Sequence, residues 1–311
     1  MINPCHFWFW RGIILVMRSL GIFSLTANKL KDHYWPLIKS RQTFMLTLTG
    51  AAGYLCQLRS PMDWWNFSGL LGSLFITISG CTVLNMVFDR DLDRKMTRTS
   101  QRPLAAGQAN AGAAAFLGGA LIGLGLFWAF MLSWLYFFLI LAGASLDVLV
   151  YTLWLKRRSA WSILWGGLSG GIPILAGRAL MMGRVDAVGL LLALSIVCWI
   201  PSHNLTLSML YSADYLNAGI PTFYNVYGQA AARAAVALST LLTVLLMAAS
   251  FGWLSASLLV VVALCISGLG LVGLAFHAWW GSSAQAVRAL NKYSSIYMLV
   301  AMLLLSMAML K

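Results

Sequence analysis

Apolar residues run through most of this chain in long blocks, and the polar residues collect between them. Nine blocks, at 42–58, 66–88, 112–132, 135–154, 161–181, 187–209, 232–251, 256–277 and 290–310, are set off by charge, Gly and Pro. A helix needs about 20 apolar residues to cross the hydrocarbon core of a bilayer, so blocks of this length predict transmembrane helices joined by short loops. The expected fold is all-α, a polytopic integral membrane bundle of about nine helices around a central cavity. It divides into a cytoplasmic or interfacial segment, 1–40, and a transmembrane domain, 41–311.

The first segment places His6, Phe7, Trp8, Phe9 and Trp10 ahead of Arg11 and Arg18, with no acid before Asp32. A signal peptide has its basic residues before the apolar region and a small-residue cleavage site after it, and neither feature is present. An aromatic, basic helix lying in the membrane interface fits the order better. Composition leaves an organelle-targeting presequence open.

Hydrophobic residues make up 60% of the 311 and charged residues 9%, whereas an ordinary soluble domain carries about a quarter charged residues. A net charge of +13 would suit nucleic acid if the cations formed one soluble face. Instead they flank the apolar blocks. With loops assigned alternately to the two sides, 17 of the 21 Lys and Arg share a side, and only Arg59, Arg178, Arg184 and Lys311 fall on the other. By the positive-inside rule the N-terminus is cytoplasmic and the C-terminus outside, as expected for a prokaryotic inner or plasma membrane protein. The loops at 90–102, 156–158 and around Asp214 then open to the cytoplasm. Cys5, Cys56, Cys81, Cys198 and Cys265 show no spacing that suggests a disulfide or a zinc site.

Against this background the acids are conspicuous. There are eight, all Asp, and three fall at Asp89, Asp91 and Asp93, where the second block ends in NMVFDRDLDRKMTRTSQRP. On a helix Asn85, Asp89 and Asp93 share one face, which repels itself unless a cation sits on it. Oxygen ligands favour a hard ion, and Mg²⁺ is usually held by one or two carboxylates plus the phosphates of a substrate. Arg94, Lys95, Arg98 and Arg102 follow, and Arg offers a bidentate fork to phosphate oxygens. The pattern points to a diphosphate bridged by Mg²⁺. A loop that merely fixed orientation would need the cations but not the acids.

The block resembles the first aspartate-rich motif of the UbiA superfamily of intramembrane prenyltransferases, N-x-x-x-D-x-x-x-D followed by R-T-x-x-R-P. A second segment, 199–228, supplies Asp214 between Tyr211 and Tyr215, with His203 one to two turns earlier. Its run through Pro201, His203, Asp214, Tyr215, Ala218, Gly219, Ile220 and Pro221 is similar to one branch, the protoheme IX farnesyltransferases, as is YTLWLKRRSAWSILWGGLSGGIPILAG from Tyr151. Two features depart from that branch: Tyr211, Ser212 and Ala213 stand where it usually has basic residues, and Tyr224 to Gly228 replace its Pro-Val-x-x-Gly run.

The resemblance implies that Asp214 joins Asn85, Asp89 and Asp93 in metal binding, that Lys156 and Arg157 contact the diphosphate, and that His203 acts on the acceptor side. Lys156, Arg157 and Arg158 also have a plainer reading as positive-inside anchors. Tyr151 and Trp154 are placed to line a prenyl channel and to hold a cation over a ring face. The implied reaction joins a farnesyl or other polyprenyl diphosphate, entering from the lipid bilayer, to haem B or to another aromatic acceptor such as a quinone precursor. A transporter using its Asp residues for a coupling cation is the rival class. Asp147, inside an apolar block, must be paired, neutral or beside a polar cavity. Gly166, Gly167, Gly170 and Gly171 lie within a span, where small residues let helices approach.

Overall fold

A computed structural model describes residues 30–57, 61–281 and 283–308. The interfacial helix expected near the N-terminus lies outside the described residues. A 3₁₀ turn, Trp35–Ile38, leads into helix α1, Ser40–Leu55. Then come α2, Trp64–Phe88, the short α3, Arg90–Lys95, α4, Ala111–Leu132, and α5, Trp134–Leu155. The remainder is α6, Ser162–Met182, α7, Ala187–Leu210, the short α8, Ser212–Asn217, α9, Phe223–Trp253, α10, Leu258–Gly281, and α11, Ala284–Met307.

Among the described residues eight helices are long and apolar enough to span a membrane. They correspond to the second to ninth predicted blocks. The first block is α1, which at 16 residues is shorter than the rest. Two boundaries move for local reasons. The α9 helix begins at Phe223 because Thr222 caps it by accepting from the Asn225 N–H, and the chain then kinks at Gly228, whose φ of 81° and ψ of 178° suit only glycine. The α11 helix begins at Ala284 because Ser283 accepts from the Ala286 N–H.

The second half of α5, Leu146–Leu155, is π-helical. Nothing in the hydropathy pattern distinguishes i→i+5 from i→i+4 hydrogen bonding, and this segment matters below.

Small residues set the packing at the centre. Gly50 and Gly53 of α1 face α6 so closely that a Cβ on Gly177 would stand 2.0 Å from the Gly50 carbonyl oxygen, and one on Gly53 would stand 2.2 Å from that of Ile174. Two backbones this near gain dispersion contact that bulky side chains would prevent. Replacing Gly177 with Ala therefore forces the helices apart. We expect a loss of about 1–3 kcal/mol, typical of overpacking, read as a lower melting temperature in detergent. Of the eight long spans α2 and α6 are the most enclosed and α4 the least; α2 and α6 thus lie toward the centre and α4 at the lipid-facing rim. α2, α6 and the end of α5 bring the polar groups of the chain inward.

Candidate active site

At the end of α2 the helix breaks at Asp89, with φ −88° and ψ 0°, and resumes as α3. The helical register survives the break. The Asp89 N–H donates to the Asn85 carbonyl at 2.9 Å, and the Asp93 N–H donates to that of Asp89 at 2.8 Å. Asn85, Asp89 and Asp93 therefore remain on one face, as their spacing predicted. Both carboxylates are buried, each 5% exposed, so each needs compensation.

The compensation comes from cations. Lys156, at the end of α5, donates to Asp89 Oδ2. Arg102 Nη1 donates to both oxygens of Asp93 at 2.9 Å. Lys39 lies within electrostatic reach of Asp89 and Asp147, and also of Arg102 and Lys156. It occupies a left-handed conformation, φ 45°, unusual for a residue with a side chain. Burial pushes its pKa down to about 8, and the nearby Arg102 and Lys156 push the same way. Three cations thus converge beside the acids.

The Lys156 ammonium also lies 5.7 Å from the Tyr151 ring centroid. Asn85 is held at both ends: its Nδ2 donates to Asp147 Oδ2 at 3.0 Å, and its Oδ1 accepts from the Thr152 hydroxyl at 2.6 Å.

One atom in this set is not satisfied: Asp89 Oδ1 is buried and has no hydrogen-bond partner. A buried carboxylate oxygen without a donor is costly, and a cation is the natural remedy. Among the described residues no three of His, Cys, Asp and Glu gather as a metal cage. An ion bound here takes few ligands from the protein and the rest from an anion, which is the habit of Mg²⁺. The residues fit that ion together with a diphosphate.

The other predicted residues take different positions. Arg157 forms a bidentate pair with Asp91 at 2.8 and 2.9 Å on the exposed side of α3, and its hydrogen bonds hold the Asp91 carboxyl below the usual range. Arg94 donates from Nε to the Ala105 carbonyl at 2.8 Å, bracing the loop after α3. Lys95 is exposed. The Arg98 guanidinium lies 5.2 Å from the Tyr211 ring centroid.

Asp214, on α8, accepts from the backbone N–H groups of Thr97 and Arg98 at 3.3 and 3.2 Å. Leu92, Met96, Ala218 and Ile220 pack beside this contact, so the two aspartate-rich segments meet. The bond from the Arg98 N–H, followed by those from Thr97, holds the Asp214 carboxyl below the usual range. With its folded pKa depressed, the contact is intact above the unfolded value of about 3.9 and is lost as pH falls through the folded one. Asp214→Ala should therefore speed hydrogen exchange of the Thr97 and Arg98 amides at neutral pH.

The family model for "UbiA prenyltransferase family" matches residues 45–309. The chain belongs to this family. It is 36% identical over 236 residues to a protoheme IX farnesyltransferase from Thermofilum pendens, covering 76% of this chain and 82% of that one. It is 37% identical over 202 residues to one from Archaeoglobus fulgidus, covering 65% and 71%. Among solved structures it resembles a UbiA homolog from Archaeoglobus fulgidus bound to DMAPP and Mg²⁺, with a TM-score of 0.66, 15% identity, and 88% and 99% of the two chains covered. It also resembles a structure from work on digeranylgeranylglyceryl phosphate synthase in membranes, with a TM-score of 0.75, 17% identity, and 90% and 98% covered. The chain is therefore a UbiA-fold prenyltransferase and an integral, multi-pass membrane protein.

The ring contact and hydrogen bonds of His203 beyond its own turn are made to Trp199 and to α11, not to the Asn85–Asp93 face. His203 stacks on Trp199, ring centroids 5.0 Å apart, and faces α11, where Asn291 Nδ2 donates to the His203 carbonyl at 2.8 Å and Ser294 and Ser295 lie within 3.4 Å of its Nδ1. Sequence reasoning missed Lys39 and Thr152. Lys39 carries no signal beyond a basic residue ahead of the first span. Thr152 is one hydroxyl in an apolar run, and its role depends on the π-helical register.

Proposed function

We propose that this prenyltransferase transfers a farnesyl group from farnesyl diphosphate to haem B, using Mg²⁺, at the cytoplasmic face of a prokaryotic inner or plasma membrane. The observation that carries the reading is the buried, unpartnered Asp89 Oδ1, on a carboxylate paired through its other oxygen with Lys156 and one helical turn from the Arg102-paired Asp93. Asn85, Asp89 and Asp93 would hold Mg²⁺, with Asp214 facing it from the second segment. An ion held there would neutralise charge on the leaving diphosphate.

With their carboxylates engaged by the ion, Lys156 and Arg102 would be free to grip diphosphate oxygens, and Lys39 would add a third cation. Arg94 and Lys95 of α3, with Arg98 and Arg157, draw in the anion from the cytoplasmic side. The allylic C1–O bond breaks with its electron pair leaving on the diphosphate. Apolar surroundings keep water from the carbocation until the haem vinyl group attacks it. Water then adds to the cation formed on the porphyrin side and loses a proton, leaving a hydroxyethylfarnesyl side chain. His203 and its polar neighbours on α11 serve the acceptor side, contacting porphyrin or taking that proton. Tyr151 lines the channel for the prenyl chain, and Tyr211 supports Arg98.

The curated relatives named protoheme IX farnesyltransferase support haem B as acceptor, and the Mg²⁺-bound UbiA homolog supports the ion. A second reading, an aromatic acceptor such as a quinone precursor, is favoured by the absence of basic residues at Tyr211, Ser212 and Ala213. Diphosphate release from geranyl, farnesyl and longer donors, each with haem B or with a 4-hydroxybenzoate-type acceptor, tests the choice. Stimulation by haem B and farnesyl diphosphate is expected; stimulation by the aromatic acid alone would overturn the haem reading.

A further inference from the structure

Asp147 and Thr152 take no part in the chemistry proposed above, yet both touch Asn85. Asp147 sits in the first π-helical turn of α5 and Thr152 five residues on. In an α-helix of 3.6 residues per turn, residues five apart would point about 140° away from each other. The i→i+5 register brings them onto one face, and the Lys156 N–H closes the segment on the Tyr151 carbonyl at 2.9 Å. π-Helical turns interrupt helices mostly where a site needs such a face.

We propose that Asp147 and Thr152 are positioning residues that fix the Asn85 carboxamide with its oxygen turned to the bound metal ion, an inference that rests on the metal reading above. The two ends of a carboxamide are easily exchanged unless neighbours distinguish them. Asp147 Oδ2 accepts from Asn85 Nδ2 at 3.0 Å, so the amino end is fixed on Asp147 and the oxygen, which accepts from the Thr152 hydroxyl at 2.6 Å, is the end open to a cation.

Thr152 does something different. Its hydroxyl has one proton and two acceptors in reach, Asn85 Oδ1 at 2.6 Å and the Asp147 carbonyl at 2.8 Å. While Asn85 Oδ1 has no ion, the hydroxyl holds that oxygen where the ion takes it and keeps the free carboxamide from turning away. When the ion draws on that oxygen, the proton turns to the Asp147 carbonyl, and the buried hydroxyl, on a residue 1% exposed, keeps a hydrogen bond. The arrangement orients a metal ligand through its outer partners, whose loss typically weakens metal binding 10- to 100-fold.

The test is Mg²⁺-dependent binding of farnesyl thiolodiphosphate, which does not ionise readily, measured by calorimetry on the full chain in detergent. In Asp147→Leu and Asp147→Ala, which differ in bulk but both lack the acceptor, we expect the Mg²⁺ midpoint to rise about tenfold. Binding without Mg²⁺ should be unchanged, and Asp147→Asn, which keeps an acceptor oxygen, should stay within about threefold of the parent. Parental midpoints in both the Leu and Ala variants would overturn the inference alone. A parent that binds the analogue equally with and without Mg²⁺ would overturn the metal reading and the inference with it. Should neither the Leu nor the Ala variant fold, Thr152→Val against Thr152→Ser decides. A raised midpoint in the Val variant only supports the inference, and equal midpoints overturn it.

Discussion

Replacing Asp89 with Asn lowers Mg²⁺-dependent diphosphate release from farnesyl diphosphate by at least about a hundredfold, the scale for removing one preorganised charge-stabilising group. The substitution keeps the shape of the side chain and removes its charge. Two consequences follow. The buried oxygen that has no partner is no longer anionic, so it is a poorer ligand for a divalent ion. Lys156, whose ammonium donates to that carboxylate, is left beside a neutral amide and near Lys39 and Arg102, so cation repulsion grows. That excess positive charge favours binding of the anionic donor, and the expected signature is therefore a fall in turnover with no matching rise in KM. Steady-state release at several Mg²⁺ concentrations reads this directly. Activity within tenfold of the parent would remove Asp89 from the reaction.

The largest expected effect on stability lies at the other end of the bundle. Arg178 is 3% exposed and donates to Asp186 through Nε at 2.7 Å and Nη2 at 2.6 Å, while its Nη1 donates to the Cys56 sulfur at 3.1 Å. It ties α6 to the end of α1 and to the cap of α7, where Asp186 also accepts from the Gly189 N–H. Arg178→Met leaves a partly buried carboxylate unpaired, and such losses cost about 3–5 kcal/mol. Because Asp186 keeps its cap and some exposure, we expect about 3 kcal/mol.

The pH dependence follows from the same pair. The Arg178 hydrogen bonds hold the Asp186 pKa below its usual value. The stabilisation is complete above the unfolded pKa of about 3.9 and disappears as pH falls through the lower folded value. Melting temperatures of parent and variant should accordingly differ at pH 7 and draw together as pH falls from about 4 through the lower folded value. A constant gap across that range would contradict the assignment.

The spans were legible because hydropathy depends on local composition, and the π-helical segment was not because its register is invisible to hydropathy. Asn85, Asp89 and Asp93 share a face because a helical spacing of four survives the break at Asp89. The sequence could not show which cation meets which acid. Lys156 reaches Asp89 and Arg157 reaches Asp91, although the two bases are adjacent in sequence, because the chain turns between them at the end of α5. Asp147, expected to be paired, neutral or beside a polar cavity, accepts from the Asn85 carboxamide. Lys39 lies far upstream in the chain, and only tertiary packing brings it to the site.

The central claim is that this chain joins a farnesyl group to haem B. The most direct measurement is mass spectrometry of haem extracted after membranes containing the protein are incubated with Mg²⁺, farnesyl diphosphate and haem B. The account predicts a haem heavier by one farnesyl group and one hydroxyl, absent when Asp89 is replaced by Asn. Haem B recovered unchanged while diphosphate is released onto another acceptor would contradict it.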